Sequence, residues 1–262
     1  MIIDSHAHIY PAKIAMKAAD SIGKFYGIDM DMDGTLNTLL AKGSAAGIDR
    51  FLVHSVATTP KQIDSINNYI HEKTVQYGDK LIGFATLHPD SKELPRQVDD
   101  ILEMGLRGIK IHPDFQKFDV DSKEAYKMYE LIEGRLPILM HIGDYRTQYS
   151  KPQKLCNVLR DFPDLDVIAA HFGGWSEWDL GEKYLAGKRL WVDTSSSTYK
   201  LSAQRVKELI DAFGADNVLF GTDYPMWDPA SELERMSKVD LSDTDREKIY
   251  HINLEKLLAK YE

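Results

Sequence analysis

Short apolar runs alternate with longer amphipathic stretches along the whole chain. Eight runs stand out: Met1–Ser5, Arg50–Val56, Leu81–Leu87, Arg107–Ile111, Pro137–His141, Leu165–His171, Leu190–Thr194 and Asn217–Asp223. Each is too short for an ordinary helix. Each is rich in Ile, Val, Leu or Phe, as a parallel strand buried on both faces requires. Between them the spacing predicts helices over Leu36–Ala46, Gln62–Tyr77, Glu93–Met104, Glu124–Ile132, Lys151–Phe162, Glu177–Leu185 and Ser202–Phe213, with Ala230–Ser237 and Thr244–Tyr261 after the last strand. Several stop at a glycine (Gly47, Gly78, Gly105, Gly134, Gly214), the residue that most easily takes the left-handed cap. Strict strand–helix alternation repeated eight times, with right-handed crossovers, predicts an α/β fold of one kind: a single (β/α)8 TIM barrel spanning 1–262. A doubly wound open sheet is the competitor, but it usually places a glycine-rich phosphate loop after its first strand, and His6-Ala7-His8 stands there instead. Residues 10–34 read as an insertion between the first strand and its helix, long enough to cover a site.

Composition narrows the partners. With 32 basic and 41 acidic residues the net charge is −9, a poor match to nucleic acid or an anionic membrane. The single cysteine, Cys156, allows no intrachain disulfide, and the N-terminus lacks a basic and apolar leader. The expectation is a cytoplasmic enzyme with a small-molecule substrate, no nucleic-acid or membrane partner, and a homo-oligomer left open.

In such a barrel the chemistry gathers at the C-terminal ends of the strands. There the sequence places His6 and His8, Lys110 and His112, His141, His171 and Asp223. Residues two apart on a strand share a face, so His6 and His8 can both point inward while Ala7 points away. Adding His141 and Asp223 gives a nitrogen–oxygen set for one divalent metal, Zn first and Mn or Fe next, which would activate a water. His171 suits a general base, or a ligand to a second metal. Asp223 has two expected duties, ligand and proton shuttle.

Asp4-Ser5-His6-Ala7-His8, Met140-His141, Ala170-His171-Phe172-Gly173-Gly174 and Gly221-Thr222-Asp223-Tyr224-Pro225 together resemble the motifs of the amidohydrolase superfamily. The spacing is most similar to the amidohydrolase-related branch that contains aminocarboxymuconate-semialdehyde decarboxylase and the resorcylate-type decarboxylases. The resemblance runs the length of the chain. It implies a mononuclear metal on His6, His8, His141 and Asp223 with His171 as a nearby acid or base. It implies much less about substrate, because the family spans hydrolases, decarboxylases and a hydratase.

Lys110 and His112 are expected to bind substrate rather than to supply a bridging carbamate. Arg146 is a candidate clamp for a substrate carboxylate, as guanidinium forks are, and Trp175 a candidate pocket wall. His88 is a weak candidate. His54, short of its strand end, reads as core, His71 and His251 as surface, and Cys156 as packed. The leading functional expectation is hydrolysis of a small amide, ester or lactone by a metal-activated water. The rival is non-oxidative decarboxylation of an aromatic or unsaturated carboxylic acid.

Overall fold

A computed structural model describes residues 1–261. The parallel strands are β1 (Ile3–His8), β2 (Arg50–His54), β3 (Leu81–Gly83), β4 (Ala85–Thr86), β5 (Ile109–Ile111), β6 (Ile138–Met140), β7 (Val167–Ala169), β8 (Trp191–Asp193) and β9 (Val218–Leu219). They form two runs, β1-β2-β3 and β4 through β9 in order, every pair parallel. β3 and β4 are two halves of one barrel strand. At Phe84 the ladder changes partner: Phe84 N donates back to Val53 O, and Ala85 N forward to Gly108 O. The other seam closes through Ser5 N to Phe220 O (2.8 Å), Asp223 N to His6 O (2.8 Å) and His8 N to Tyr224 O (2.7 Å). Eight strand positions therefore close into a barrel, as the alternation predicts.

Side-chain parity divides the strands into an outer and an inner set. Phe51, Val53, Ile109, Ile111, Ile138, Met140, Val167, Val192 and Val218 belong to the large apolar layer beneath the helices. The intervening Ile3, Leu52, Ile82, Phe84, Leu139, Ile168 and Leu219 fill the barrel and meet Leu254, Leu257 and Leu258 of the C-terminal helix Asn253–Leu258. The floor of the barrel is thus closed with hydrocarbon. Two residues further along the same strands, the inner face turns polar: His54 after Leu52, His141 after Leu139, Asp193 after Trp191. The site sits on an apolar base.

The outer helices include Leu36–Ala45, Ile63–Tyr77, Leu94–Glu103, Lys123–Ile132, Pro152–Asp161, Trp178–Leu185 and Ala203–Phe213, each within a few residues of its predicted span. The predicted Thr244–Tyr261 helix is broken into Asp243–Glu247, a wide turn at Lys248–Ile252, Asn253–Leu258 and a tight final turn. Residues 10–34 contain a helix of their own, α1 (Ala12–Tyr26), which ends on left-handed Gly27. Among the described residues no helix is long and apolar enough to cross a membrane.

Candidate active site

A cavity opens at the C-terminal ends of the strands. It is lined by His6, His8, Lys110, His112, His141, His171 and Asp223, with Tyr26 and Met30 from the insertion above them. Seven of the nine residues expected at the site from sequence therefore meet in one place. The exceptions are Arg146 and Trp175.

β1 extends through His8, so His6 and His8 lie on the strand rather than after it. Asp4 pins this end of the barrel. Its carboxylate accepts from His6 N (3.0 Å), Thr222 N (2.9 Å) and Thr222 Oγ1 (2.6 Å), tying β1 to the segment that carries Asp223. Three site residues, His171, Ser196 and Asp223, have φ of 61°, 44° and 59°. Left-handed conformations of this kind cost about 1–3 kcal/mol each in non-glycine residues. The chain holds them through cross-strand bonds such as Asp223 N to His6 O. Gly221 lies in a tight approach: a Cβ there would stand 3.0 Å from His6 Cβ and 3.2 Å from Ser195 Cβ.

The hydrogen bonds fix where the ring protons lie. His6 Nδ1 is 2.8 Å from Asp193 Oδ2, so Nδ1 carries the proton and Nε2 presents a lone pair. That lone pair faces Lys110 Nζ at 3.0 Å and Asp223 Oδ1 at 3.3 Å. His8 Nε2 lies 3.5 Å from the same oxygen. His171 Nδ1 meets the Ser195 carbonyl at 2.9 Å, and His141 Nε2 meets the Gly143 carbonyl at 2.9 Å. A carbonyl can only accept, so both nitrogens are protonated. The remaining pair, His171 Nε2 and His141 Nδ1, face each other 3.0 Å apart as two lone pairs. Facing lone pairs at that distance call for a positive centre beside them.

These features test whether a divalent cation suits the site. Ligands to one such ion at metal–nitrogen or metal–oxygen bonds of about 2.0–2.2 Å stand about 3–3.5 Å from one another, as His6 Nε2 and His8 Nε2 do from Asp223 Oδ1 (3.3 and 3.5 Å) and His141 Nδ1 does from His171 Nε2 (3.0 Å). All the rings are in the required neutral form, because burial holds His6, His8 and His141 well below the usual imidazole range, and neighbouring cationic groups add to the effect. Lys110 puts an ammonium where a cation is wanted. It is fully buried, and that burial pushes it down to about 8, against the raising influence of Asp223 and Asp193. The donor set fits a metal. Three groups close enough to share an ion lie here, two with a carboxylate, His6/His171/Asp193 and His112/Asp114/His141, and one of histidines alone, His6/His8/His54.

Four residues at or beside the cavity were not assigned to it from the sequence. Asp193 holds His6, and its other oxygen accepts from His171 N (2.9 Å), Ser195 N (3.1 Å) and the Ser195 hydroxyl. Ser196 donates to Asp223 Oδ2 and accepts from Trp227 Nε1 at 2.8 Å, which leaves Oδ1 to face the histidines. His54, expected as a packed core residue, is fully buried but lies edge-on to His8, ring centroids 4.4 Å apart, with both ring nitrogens unpartnered. Tyr26 reaches down from α1 and places its hydroxyl 2.7 Å from His112 Nε2.

Three expectations change in detail. Arg146 does not line the cavity. Its fork is filled by Asp144 (Nε to Oδ1 2.9 Å, Nη2 to Oδ2 2.6 Å), Nη1 donates to Phe25 O, and the guanidinium lies 4.5 Å from the Phe25 ring and 4.8 Å from that of Tyr26. It fastens α1 rather than offering a free edge to a substrate. Trp175 stands behind Tyr26, with ring centroids 4.7 Å apart, and backs the wall instead of forming it. His112 is at the site, but Tyr26 takes its inner nitrogen, and its ring stacks between Phe115 (3.8 Å, 9°) and His141 (3.9 Å, 10°).

With this geometry established, comparison with known proteins is decisive at the family level: residues 3–260 match the family model described as Amidohydrolase. The chain belongs to the amidohydrolase family. Solved structures share the fold. An uncharacterized TIM-barrel protein from Bordetella bronchiseptica is 22% identical, with a TM-score of 0.81 over 99% of both chains. The 5-carboxyvanillate decarboxylase of Sphingomonas paucimobilis is 15% identical, with a TM-score of 0.74 over 98% of each chain. A dihydroxybenzoic acid decarboxylase from Polaromonas sp. JS666, solved with bound manganese and 2-nitroresorcinol, is 16% identical, with a TM-score of 0.73 over 98% of this chain and 96% of that one. At these identities the likeness of this amidohydrolase to its neighbours is one of fold.

Proposed function

We propose that this amidohydrolase-family enzyme is a divalent-metal-dependent, non-oxidative decarboxylase of a small aromatic carboxylic acid. The observation that carries the reading is the cavity itself. Its lining includes the near-parallel rings of Phe115, His112 and His141, beneath the phenol of Tyr26, with the buried Lys110 ammonium among the polar groups. A flat conjugated ring bearing one carboxylate matches that pairing of ring surfaces with a cation. Sequence reasoning put hydrolysis first; the aromatic enclosure reverses the order. Two of the fold's solved neighbours being benzoate-type decarboxylases supports the same order.

His6, His8, His141 and Asp223 would hold the metal, which when bound supplies a Lewis-acid seat for substrate oxygens. Manganese belongs in the trial beside zinc, since the Polaromonas neighbour was solved with it. The chain's own groups do the rest. Lys110 attracts and orients the carboxylate. Burial pushes Asp223 up to about 6, which makes it the stronger base of the two and the group suited to carry a proton to the substrate, whereas burial lowers His171 to about 4 and keeps it neutral. In the reaction the Asp223 proton adds to the ring carbon bearing the carboxylate. The carbon–carbon bond then breaks, its electrons return to the ring, and carbon dioxide leaves. Phe115 and Tyr26 keep water from that carbon.

The test is incubation of the enzyme, loaded with Mn2+ or Zn2+, with 2,6-dihydroxybenzoate and related hydroxybenzoates, following carbon dioxide release and loss of the acid. Parallel reactions use ester, lactone and amide panels. Hydrolysis of that second panel with no carbon dioxide from any acid would return the protein to the hydrolase reading.

A further inference from the structure

The Tyr26 hydroxyl is held by a chain of hydrogen bonds with a definite direction. The Phe115 amide is shared between the His112 carbonyl (3.1 Å) and His112 Nδ1 (3.4 Å). A backbone N–H can only donate, so Nδ1 is the acceptor of the ring and the ring proton lies on Nε2. The ring has little freedom to turn over, because it is sandwiched between Phe115 and His141. His112 Nε2–H therefore donates to Tyr26 Oη across 2.7 Å. The phenol's own hydrogen is then left over. Among the described residues no other hydrogen-bond partner of Tyr26 Oη is found, and Tyr26 lines the cavity together with His6, His8 and Asp223.

We propose that Tyr26 is a substrate-binding residue that donates its hydroxyl hydrogen to an oxygen of the substrate, a carboxylate, phenolate or carbonyl, and that His112 acts through it. The assignment rests on the reading of this cavity as the reaction chamber and adds a specificity determinant from the insertion to it. The fit is for an acceptor only. A substrate presenting a donor at this point would oppose the phenol hydrogen, and one presenting a methyl group would leave it unpaired. The position is built rather than incidental: Arg146 lies over both Phe25 and Tyr26 and donates to Phe25 O, Asp144 fills the Arg146 fork, and Trp175 packs against the Tyr26 ring.

The experiment uses the metal-loaded protein and Tyr26→Phe. The variant keeps the ring and its packing, so metal content and circular dichroism are expected to match wild type. Calorimetric titration with 2,6-dihydroxybenzoate is expected to show about ten- to hundredfold weaker binding, the usual size of a lost hydrogen bond to a charged oxygen. Unchanged affinity in the variant overturns the proposal. If wild type itself does not bind the benzoate, the decarboxylase reading is what falls, and the relay is judged on the ring nitrogens. In protein labelled with [15N]histidine, His112 is expected to carry its proton on Nε2, and Tyr26→Phe to shift that resonance. A proton on Nδ1, or no shift on removing the hydroxyl, overturns the assignment.

Discussion

Asp193→Asn is the sharpest probe of how the site is assembled, because it changes no volume and touches no residue expected to bind the metal directly except through its hydrogen bond to His6. Asp193 is fully buried and acts only as an acceptor: Oδ2 toward His6 Nδ1 at 2.8 Å, Oδ1 toward two backbone amides and the Ser195 hydroxyl. An amide cannot replace it in either orientation. With its NH2 toward His6, donor meets donor, and the ring is pushed to move its proton to Nε2, where the lone pair for a metal should be. With its NH2 toward the other side, it meets the amides of His171 and Ser195. The loss is one hydrogen bond to a charged group, about 1.5–3 kcal/mol, or about ten- to 150-fold at 1.4 kcal/mol per decade. Partners of metal-bound histidines typically change affinity by the same 10–100-fold or so.

The assay is competition for Mn2+ or Zn2+ against a chelator of known affinity, with circular dichroism and thermal melting of the metal-free protein run alongside. At least tenfold weaker metal binding by a folded variant is expected. A folded Asp193→Asn protein that holds metal within about threefold of wild type would refute the claim that Asp193 sets the His6 tautomer.

Two further outcomes follow from the geometry. Gly221→Ala puts a methyl group 3.0 Å from His6 Cβ and 3.2 Å from Ser195 Cβ, and is expected to cost about 1–3 kcal/mol in urea unfolding, as overpacking does, together with weaker metal retention. Asp4→Asn tests a pH dependence: burial raises Asp4 from 3.8 to about 7, more than its three hydrogen bonds lower it. The native state therefore prefers the protonated form, so the stability Asp4 contributes is full below about pH 4, falls as the pH rises toward 7, and is flat above that. The difference in unfolding free energy between wild type and Asp4→Asn should run that way across pH 4–7. A difference constant with pH would mean that Asp4 is ionised throughout.

Much of this was legible because a parallel barrel imposes two simple rules: strands buried on both faces are apolar, and their C-terminal ends carry the chemistry. His6, His8, Lys110, His141, His171 and Asp223 break an apolar pattern at such ends, and they line one cavity. What escaped was set by finer geometry. Asp193 lay inside a predicted strand, and His54 stood short of the end of another, yet each is two residues beyond an inner-face residue, Trp191 and Leu52. Parity along the strand, not distance from its end, was the signal that would have found them. The meeting of Tyr26 with Arg146 had no such signal, since the two come together from the insertion and a loop about 120 residues apart in sequence, a pairing that only the folded chain reveals.

That difference bears on how the family scaffold is divided here. The strand-end residues supply a charge pattern able to hold a cation, and the barrel fixes them through bonds such as Asp193–His6 and Asp4–Thr222. Neither hydrolysis nor decarboxylation is selected by that pattern alone, because both need the same ion and the same carboxylate. Selection must then come from what covers the strand-end residues. In this chain the cover is α1, which brings Tyr26 over a stack of rings and is clipped at its end by Arg146 and Asp144. Loosening the clip while leaving every strand-end residue in place, as Arg146→Ala would, should therefore change affinity for an aromatic acid more than affinity for the metal.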